Sequence, residues 1–403
     1  MTDPIMQSSA LQRIAPSPTI AATQKARMLK ARGADIISLT AGEPDFDTPT
    51  NIKDAAIEAI KRGETKYTPI DGIPDLKEAI AKKFARDNDL QYASNEITVA
   101  PGGKAVIFSA FLGTLNPGDE VIIPAPYWVS YPDIVKLTGA TPIIIPTKKK
   151  DEFLLTPDAL AAAISPRTRW IILNNPGNPT GSMYSREWLE ALGDILLEHQ
   201  QIMILTDDIY EKIVYGSVNF STIAQVQPKL FRRTLTMNGA SKCFAMTGWR
   251  IGYAGGPQSV IKAMTKVMSQ STTNACSISQ WACVEALNGN QAFLDDWTVA
   301  FRGRRDVAVS IINDTPGLTC ATPKGAFYVF AHCAGVINKT SPRGRVIKSD
   351  VDFTDALMEE AGVGVVSGAA FGMSPYFRLS YAAADEDVEN ACLRIKNFCT
   401  SLT

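Results

Sequence analysis

Residues 238–253 read NGASKCFAMTGWRIGY, with Lys242 set among Gly239, Ala240, Ser241 and Cys243 and with Arg250 eight residues further on. Small residues let a backbone approach another group closely. Most lysines are solvated surface charges; one held in such surroundings can instead serve as an amine reagent. Apolar runs flank the stretch, Thr234–Met237 before it and Ile251–Ala254 within and after it. Both read as strands, so Lys242 and Arg250 fall on the connection between them.

The same texture extends outward. Ile97–Ala100, Val121–Ile123, Ile143–Ile145, Trp170–Leu173 and Ile202–Thr206 are short and almost continuously apolar, as strands covered on both faces are. Amphipathic segments separate them. One opens at Pro74, with Leu76, Ile80 and Phe84 on one stripe and Lys82, Lys83 and Arg86 near its end. Another, from about Asn274, spaces Ile278, Trp281, Val284 and Leu287 at helical intervals before Gly289. The alternation predicts an α/β fold with a mostly parallel central sheet over residues 50–294. Beyond about residue 295 a long helical stretch, GAFYVF (325–330), the polar NKTSPRGRVIKSD (338–350) and YFRLSYA (376–382) read as a smaller α+β domain. The expected division is 50–294 for the large domain, 13–49 plus 295–403 for the small one, and 1–12 for an arm. The segment 338–350 is expected to be a solvated loop, and KKK at 148–150 a turn.

Composition narrows the function. Forty Lys+Arg against 41 Asp+Glu give no bulk attraction for nucleic acid or anionic lipid. No apolar run approaches a membrane span, and the start lacks a basic-then-apolar leader; the expectation is a cytoplasmic protein. The seven cysteines form no C-x-x-C pair and only two histidines occur, His199 and His332. A metal site or a histidine-based triad is therefore not indicated.

Ligands of open α/β sheets bind beyond the carboxyl ends of the strands. There the chain places Pro-Gly-Gly-Lys-Ala (101–105), NNPGNPTG (174–181), TDDIYE (206–211) and the Lys242 segment. Each has a plain structural reading. Gly102–Gly103 would make a tight turn, Asn178 would brace its own proline-rich loop, Asp207 would cap a following helix, and Arg250 would join an ion pair. Together they suit pyridoxal phosphate. A lysine captures its carbonyl, a carboxylate keeps its pyridine nitrogen protonated, and hydrogen-bond donors meet its 3-oxygen. A helix N-terminus with an added cation holds its phosphate.

With AGEPDFDTP (41–49), ETKYTP (64–69), PAPYWVSYP (124–132) and FRLSYA (377–382), the motifs resemble those of fold-type I pyridoxal-phosphate aminotransferases. Within them the chain is similar to the bacterial aspartate aminotransferases of subgroup Ib, including those of rhizobia, from about residue 13 onward. The resemblance implies Lys242 as the Schiff-base lysine and Asp207 as partner of the pyridine nitrogen. It implies Tyr210 and Asn178 on the 3-oxygen, and Arg250 with Gly103, Lys104 and Ala105 on the phosphate. Trp128 would stack on the ring, and Tyr67 would reach a phosphate across a homodimer interface. For substrate it implies Arg378 on the α-carboxylate, with Gly42, Asn178 and Trp128 lining the site. The implied reaction is a ping-pong amino transfer from L-aspartate to 2-oxoglutarate.

Arg378 also follows from strand geometry, because Phe377, Leu379 and Tyr381 alternate with Arg378 and Ser380, and a planar guanidinium suits a carboxylate. Enterobacterial and animal relatives take the second carboxylate with an arginine of the neighbouring subunit, and STTNACSISQW (271–281) offers none. Subgroup Ib points to Lys104, with a hydroxyl such as that of Ser17. Transamination of prephenate or aromatic acids is the alternative, a lyase on the same fold a more distant one. A nucleotide-dependent dehydrogenase lacks its G-x-G-x-x-G.

Overall fold

The structure, a computed structural model, describes residues 7–216 and 219–403; the first six residues of the expected arm lie outside it. Seven strands form the central sheet: β1 (Ile97–Ala100), β2 (Glu120–Ala125), β3 (Thr141–Pro146), β4 (Thr168–Asn174), β5 (Met203–Asp207), β6 (Thr234–Gly239) and β7 (Gly252–Gly255). Their order is β1-β7-β6-β5-β4-β2-β3. All neighbours are parallel except β7, which runs antiparallel to β6 and β1. The register aligns Asn174 with Asp207, and Asp207 with Met237. β1 points the same way as β6, so its exit at Ala100 opposite Gly252 reaches the same rim.

Helices α1 (Pro18–Ala31), α2 (Pro74–Asn88), α3 (Gly103–Thr114), α4 (Ser130–Thr138), α5 (Ser277–Asn288), α6 (Phe293–Asn313), α7 (Asp350–Glu360) and α8 (Asp385–Thr400) carry most of the packing discussed below. α3 begins directly after β1. Gly102 lies at φ 91°, and a Cβ there would stand 2.1 Å from an Arg250 guanidinium nitrogen, so only glycine fits this turn. A four-stranded antiparallel sheet, ordered β10 (Val366–Ser367), β11 (Tyr376–Ser380), β9 (Tyr328–His332) and β8 (Thr319–Cys320), packs with α6 and α7, and α8 packs on α6. Ile37–Ser38 joins this region by parallel pairing with Val363–Gly364. The apolar cluster that fills it includes Phe327, Phe353, Phe377 and Tyr381, and it takes in Tyr210 from the β5 exit.

Two local readings change and two gain detail. β5 runs through Asp207 and is followed by turns rather than a helix, so Asp207 caps no helix. α5 starts at Ser277, and its fully buried residues are Gln280, Ala282, Cys283, Ala286 and Leu287. Ile278, Trp281 and Val284 are only half-buried, because α5 wedges between α2 and the helix Thr50–Lys61 and presents its smaller residues there. Lys83, a basic residue near the end of α2, is buried, paired with the Glu211 carboxylate, and donates to Asn88 Oδ1 at 2.6 Å. Within 338–350, Asn338, Pro342, Arg343, Gly344, Val346 and Lys348 are exposed, as expected of a solvated loop, while Ser341, Ile347 and Asp350 are buried and a bridge ties Thr340 to Val346.

Candidate active site

A cavity of about 440 Å³ opens at the common rim of the strands. Gly42, Gly103, Lys104, Trp128, Asn178, Asp207, Tyr210, Lys242, Arg250 and Arg378 all line it. Parts of the chain more than 300 residues apart thus meet in one place, because β1, β4, β5 and β6 all end there while β11 approaches from the smaller sheet.

Lys242 follows β6, and its Nζ donates to the Gly42 carbonyl at 2.6 Å. Removal from water, with Arg378 and Arg250 nearby, pushes its pKa down to about 8, against the pull of Glu43 and Asp207. Such an amine sheds its proton more readily than an ordinary lysine. Asp207 ends β5 and is buried, and burial raises its carboxyl to about 6. The Tyr131 hydroxyl opposes that rise by donating to Oδ2 at 2.6 Å. Asn174 Nδ2 donates to the Asp207 carbonyl, and Asn174 Oδ1 accepts from the Asn178 amide at 2.7 Å. The β4 exit loop is thereby tied to the β5 exit.

Arg378 is buried on β11. One terminal nitrogen donates to Asn178 Oδ1 at 3.0 Å and the other to the Thr40 carbonyl at 2.5 Å. Its guanidinium lies between the rings of Tyr328 (4.5 Å) and Phe371 (5.0 Å), and Nε is buried with no hydrogen-bond partner among the described residues. A buried cation with a vacant donor suits an incoming anion. On the opposite side, α3 presents its first amides beside Lys104 and Arg250. Arg250 adopts the left-handed region at φ 56°, which brings it against Gly102, and it donates to the Thr247 carbonyl at 2.9 Å. Lys104 Nζ lies 5.1 Å from the Trp128 ring centroid, and burial together with Arg250 lowers its pKa.

Three anticipated residues, Ala105, Ser17 and Tyr67, stand apart from the cavity. Ala105 lines an adjoining one together with Ser17, and its amide donates to the Gly102 carbonyl at 3.0 Å. Tyr67 is 89% exposed and does not reach the cavity of its own chain. Sequence reasoning passed over Tyr131, Asn174, Tyr328 and Thr40, as well as Thr19, Thr23 and Arg27 of α1 at the mouth. Tyr131, Asn174 and Tyr328 lie inside the quoted stretches; Asn174 had a signal, a polar group in the same loop as Asn178, whereas nothing in the chain marked Tyr131 or Tyr328.

The residues fit pyridoxal phosphate. A lowered lysine amine, a buried carboxylate with no ion pair among the described residues, an aromatic wall and an amide-and-cation cradle surround one space of suitable size. The family description "Aminotransferase class I and II" matches residues 34–395. The chain is 55% identical to a probable aspartate/prephenate aminotransferase of Rhizobium leguminosarum bv. phaseoli, over 97% of this chain and 98% of that one. It is 50% identical to an aspartate aminotransferase of Rhizobium meliloti, over 98% and 97%. Among solved structures, Rhizobium meliloti aspartate aminotransferase superposes with a TM-score of 0.96 at 50% identity, covering 99% and 100% of the two chains. Thermus thermophilus aspartate aminotransferase with maleate gives 0.91 at 42%, covering 98% and 99%.

Proposed function

Because the chain belongs to the class I and II aminotransferases, pyridoxal-phosphate enzymes, we propose that it transfers the amino group of L-aspartate to 2-oxoglutarate. The observation that carries this reading is the pairing of two cations across one cavity. Arg378 has a vacant donor for an α-carboxylate. Lys104 faces the same space from the start of α3 and offers a point charge for the second carboxylate of a dicarboxylate.

When bound, pyridoxal phosphate supplies a carbonyl that captures amines and a conjugated ring that takes up the electron pair left at Cα. The protein's residues do the rest. The backbone amides of Gly103 and Lys104, with Arg250, would hold the phosphate, and Trp128 would lie against the ring. Asp207, oriented by Tyr131, would keep a proton on the pyridine nitrogen, while Tyr210 and Asn178 would donate to the 3-oxygen. Arg378 fixes the α-carboxylate so that the Cα–H bond faces Lys242. Lys242 Nζ is placed to take the Cα proton as a base and, once protonated, to give a proton back as an acid. Gly42 holds that amine between transfers through its carbonyl.

The test is a pair of half-reactions on the purified holoenzyme. Aspartate should bleach the visible band, and 2-oxoglutarate should restore it. Release of ammonia or carbon dioxide without restoration would identify a lyase instead. Lys242→Ala should keep the fold and lose about 10⁴-fold or more in kcat/KM. The names of relatives that include prephenate favour a second acceptor, checked by side-by-side rates with prephenate and 2-oxoglutarate.

Three further parts belong to the same proposal. A homodimer would let an exposed Tyr67 reach its partner's phosphate site; sedimentation as a fully active monomer would contradict it. The large domain would span 50–294 and the small domain 13–49 plus 295–403, in keeping with a seven-stranded sheet inside the first and the four- and two-stranded sheets inside the second. A cytoplasmic location accords with seven free cysteines, the usual pattern of reducing compartments.

A further inference from the structure

Tyr328 lies between the two halves of the site, and no role has yet been given to it. It starts β9, is 1% exposed, and touches three groups that the proposed chemistry uses. Its hydroxyl lies 2.8 Å from that of Tyr210. Its ring carries the Arg378 guanidinium at 4.5 Å. Its hydroxyl also occupies the space over Gly42, where a Cβ would come within 2.0 Å of it, and the Gly42 carbonyl is the one that holds Lys242 Nζ.

We propose that Tyr328 is a positioning residue. Its hydroxyl donates to Tyr210, turning the Tyr210 proton toward the cofactor's 3-oxygen, while its ring is the platform that orients Arg378 for the substrate carboxylate. The direction of the bond follows from the surroundings. A cation stacked on a phenol ring draws electron density from it and makes its hydroxyl the better donor. Arg378 sits directly on Tyr328 and not on Tyr210, and Phe327 meets the Tyr210 ring edge-on from another side. After burial, the Arg378 charge is the strongest influence on the Tyr328 hydroxyl and draws its pKa down, whereas on Tyr210 the same charge comes behind that of Tyr328. Of the two, Tyr328 is the donor. A hydroxyl that accepts one hydrogen bond donates the next more strongly. Tyr210 therefore favours the anionic form of the 3-oxygen and loosens the proton shared between that oxygen and Lys242 Nζ.

This inference rests on pyridoxal phosphate being bound through Lys242, and its test separates the two claims. Tyr328→Phe keeps the ring and removes only the hydroxyl; Tyr328→Leu removes both. The readouts are the pH midpoint of the holoenzyme's visible absorbance and the calorimetric Kd of succinate, a dicarboxylate that cannot be transaminated. For Tyr328→Phe the midpoint should rise by roughly half a pH unit, with the succinate Kd within about twofold of wild type. For Tyr328→Leu the same rise should come with a Kd weaker by about five- to tenfold. An unchanged or lowered midpoint in Tyr328→Phe overturns the donor assignment. A wild-type Kd in Tyr328→Leu overturns the platform. Should Tyr328→Leu not fold, Tyr328→Phe alone decides the donor claim, and Tyr328→Trp, which keeps an aromatic face, should retain the Kd within about threefold; a loss like that expected of leucine would count against the platform. A wild-type protein without a titrating visible band would instead refute the cofactor reading.

Discussion

The Tyr131 hydroxyl reaches from the first turn of α4 to the last residue of β5 and donates to Asp207 Oδ2 at 2.6 Å, with both side chains buried. Tyr131, followed by the Ile209 amide and Lys242, thus keeps the Asp207 carboxyl from rising further above about 6. Tyr131→Phe should weaken pyridoxal phosphate binding at pH 7.5 by about three- to tenfold, measured by fluorescence titration of the cofactor-free protein. Stability carries the same signature. A carboxyl raised above its unfolded value gives a folded state that binds more protons between about pH 4 and 6, so stability falls as pH rises through that window. The variant should extend the fall to higher pH in thermal melts of the cofactor-free protein.

Lys242, lowered to about 8, should set the pH dependence of cofactor capture. The rate of pyridoxal phosphate uptake should level off near pH 8 and drop roughly tenfold per unit well below it. A rate still climbing between pH 9 and 10 would mean an ordinary amine. Stopped-flow absorbance reads the outcome directly.

Gly42 needs to be glycine for a reason outside its own backbone. Gly42→Ala drives a methyl into Tyr328 Oη, which must move and carry Arg378 and Tyr210 with it. Loss of about 10²-fold in kcat/KM is expected, with a stability cost of only about 1–3 kcal/mol. Steady-state rates and a denaturant titration together check the split.

Asp208 lies beside Asp207 but faces away from the cavity. It is fully buried, accepts from Thr206 Oγ1 at 2.6 Å on one oxygen, and has no partner on the other among the described residues. Burial raises its pKa to about 8. A raised carboxyl costs stability as pH climbs toward that value, and an amide has no such cost. Asp208→Asn should therefore be stabilising by on the order of 1–3 kcal/mol at pH 9 and nearly neutral at pH 4, as read from urea midpoints.

Much of this was legible from the chain because the rim of an α/β sheet collects residues that sit just past strands, and strands of this kind announce themselves as apolar runs. Asp207, Lys242 and the Gly102–Gly103 turn could be placed by that rule alone. Tyr131 and Tyr328 could not. Each acts by touching a residue far away in the chain, Asp207 in one case and Tyr210 with Arg378 in the other, and no spacing encodes such a contact. The burial of Lys83 was not legible for a related reason: its partner Glu211 returns from the β5 exit, far along the chain. The face of α5 was misread because large residues suggested the core, whereas close packing between two helices selected small ones.

The antiparallel strand β7 has a consequence for how this protein tolerates change. Residues 240–251 leave β6 at Gly239 and re-enter at Gly252, and those two glycines are register partners. Lys242 and Arg250 thus ride on a span whose two ends are clamped to each other, with the Gly102 turn pressed against the far clamp. Most surface connections absorb an inserted residue by bulging outward. This one carries two site residues between its clamped ends, so one extra residue between them would move the amine and the guanidinium relative to one another. Length variation should be sought in other loops, and this span should behave as a fixed ruler between the two groups it carries.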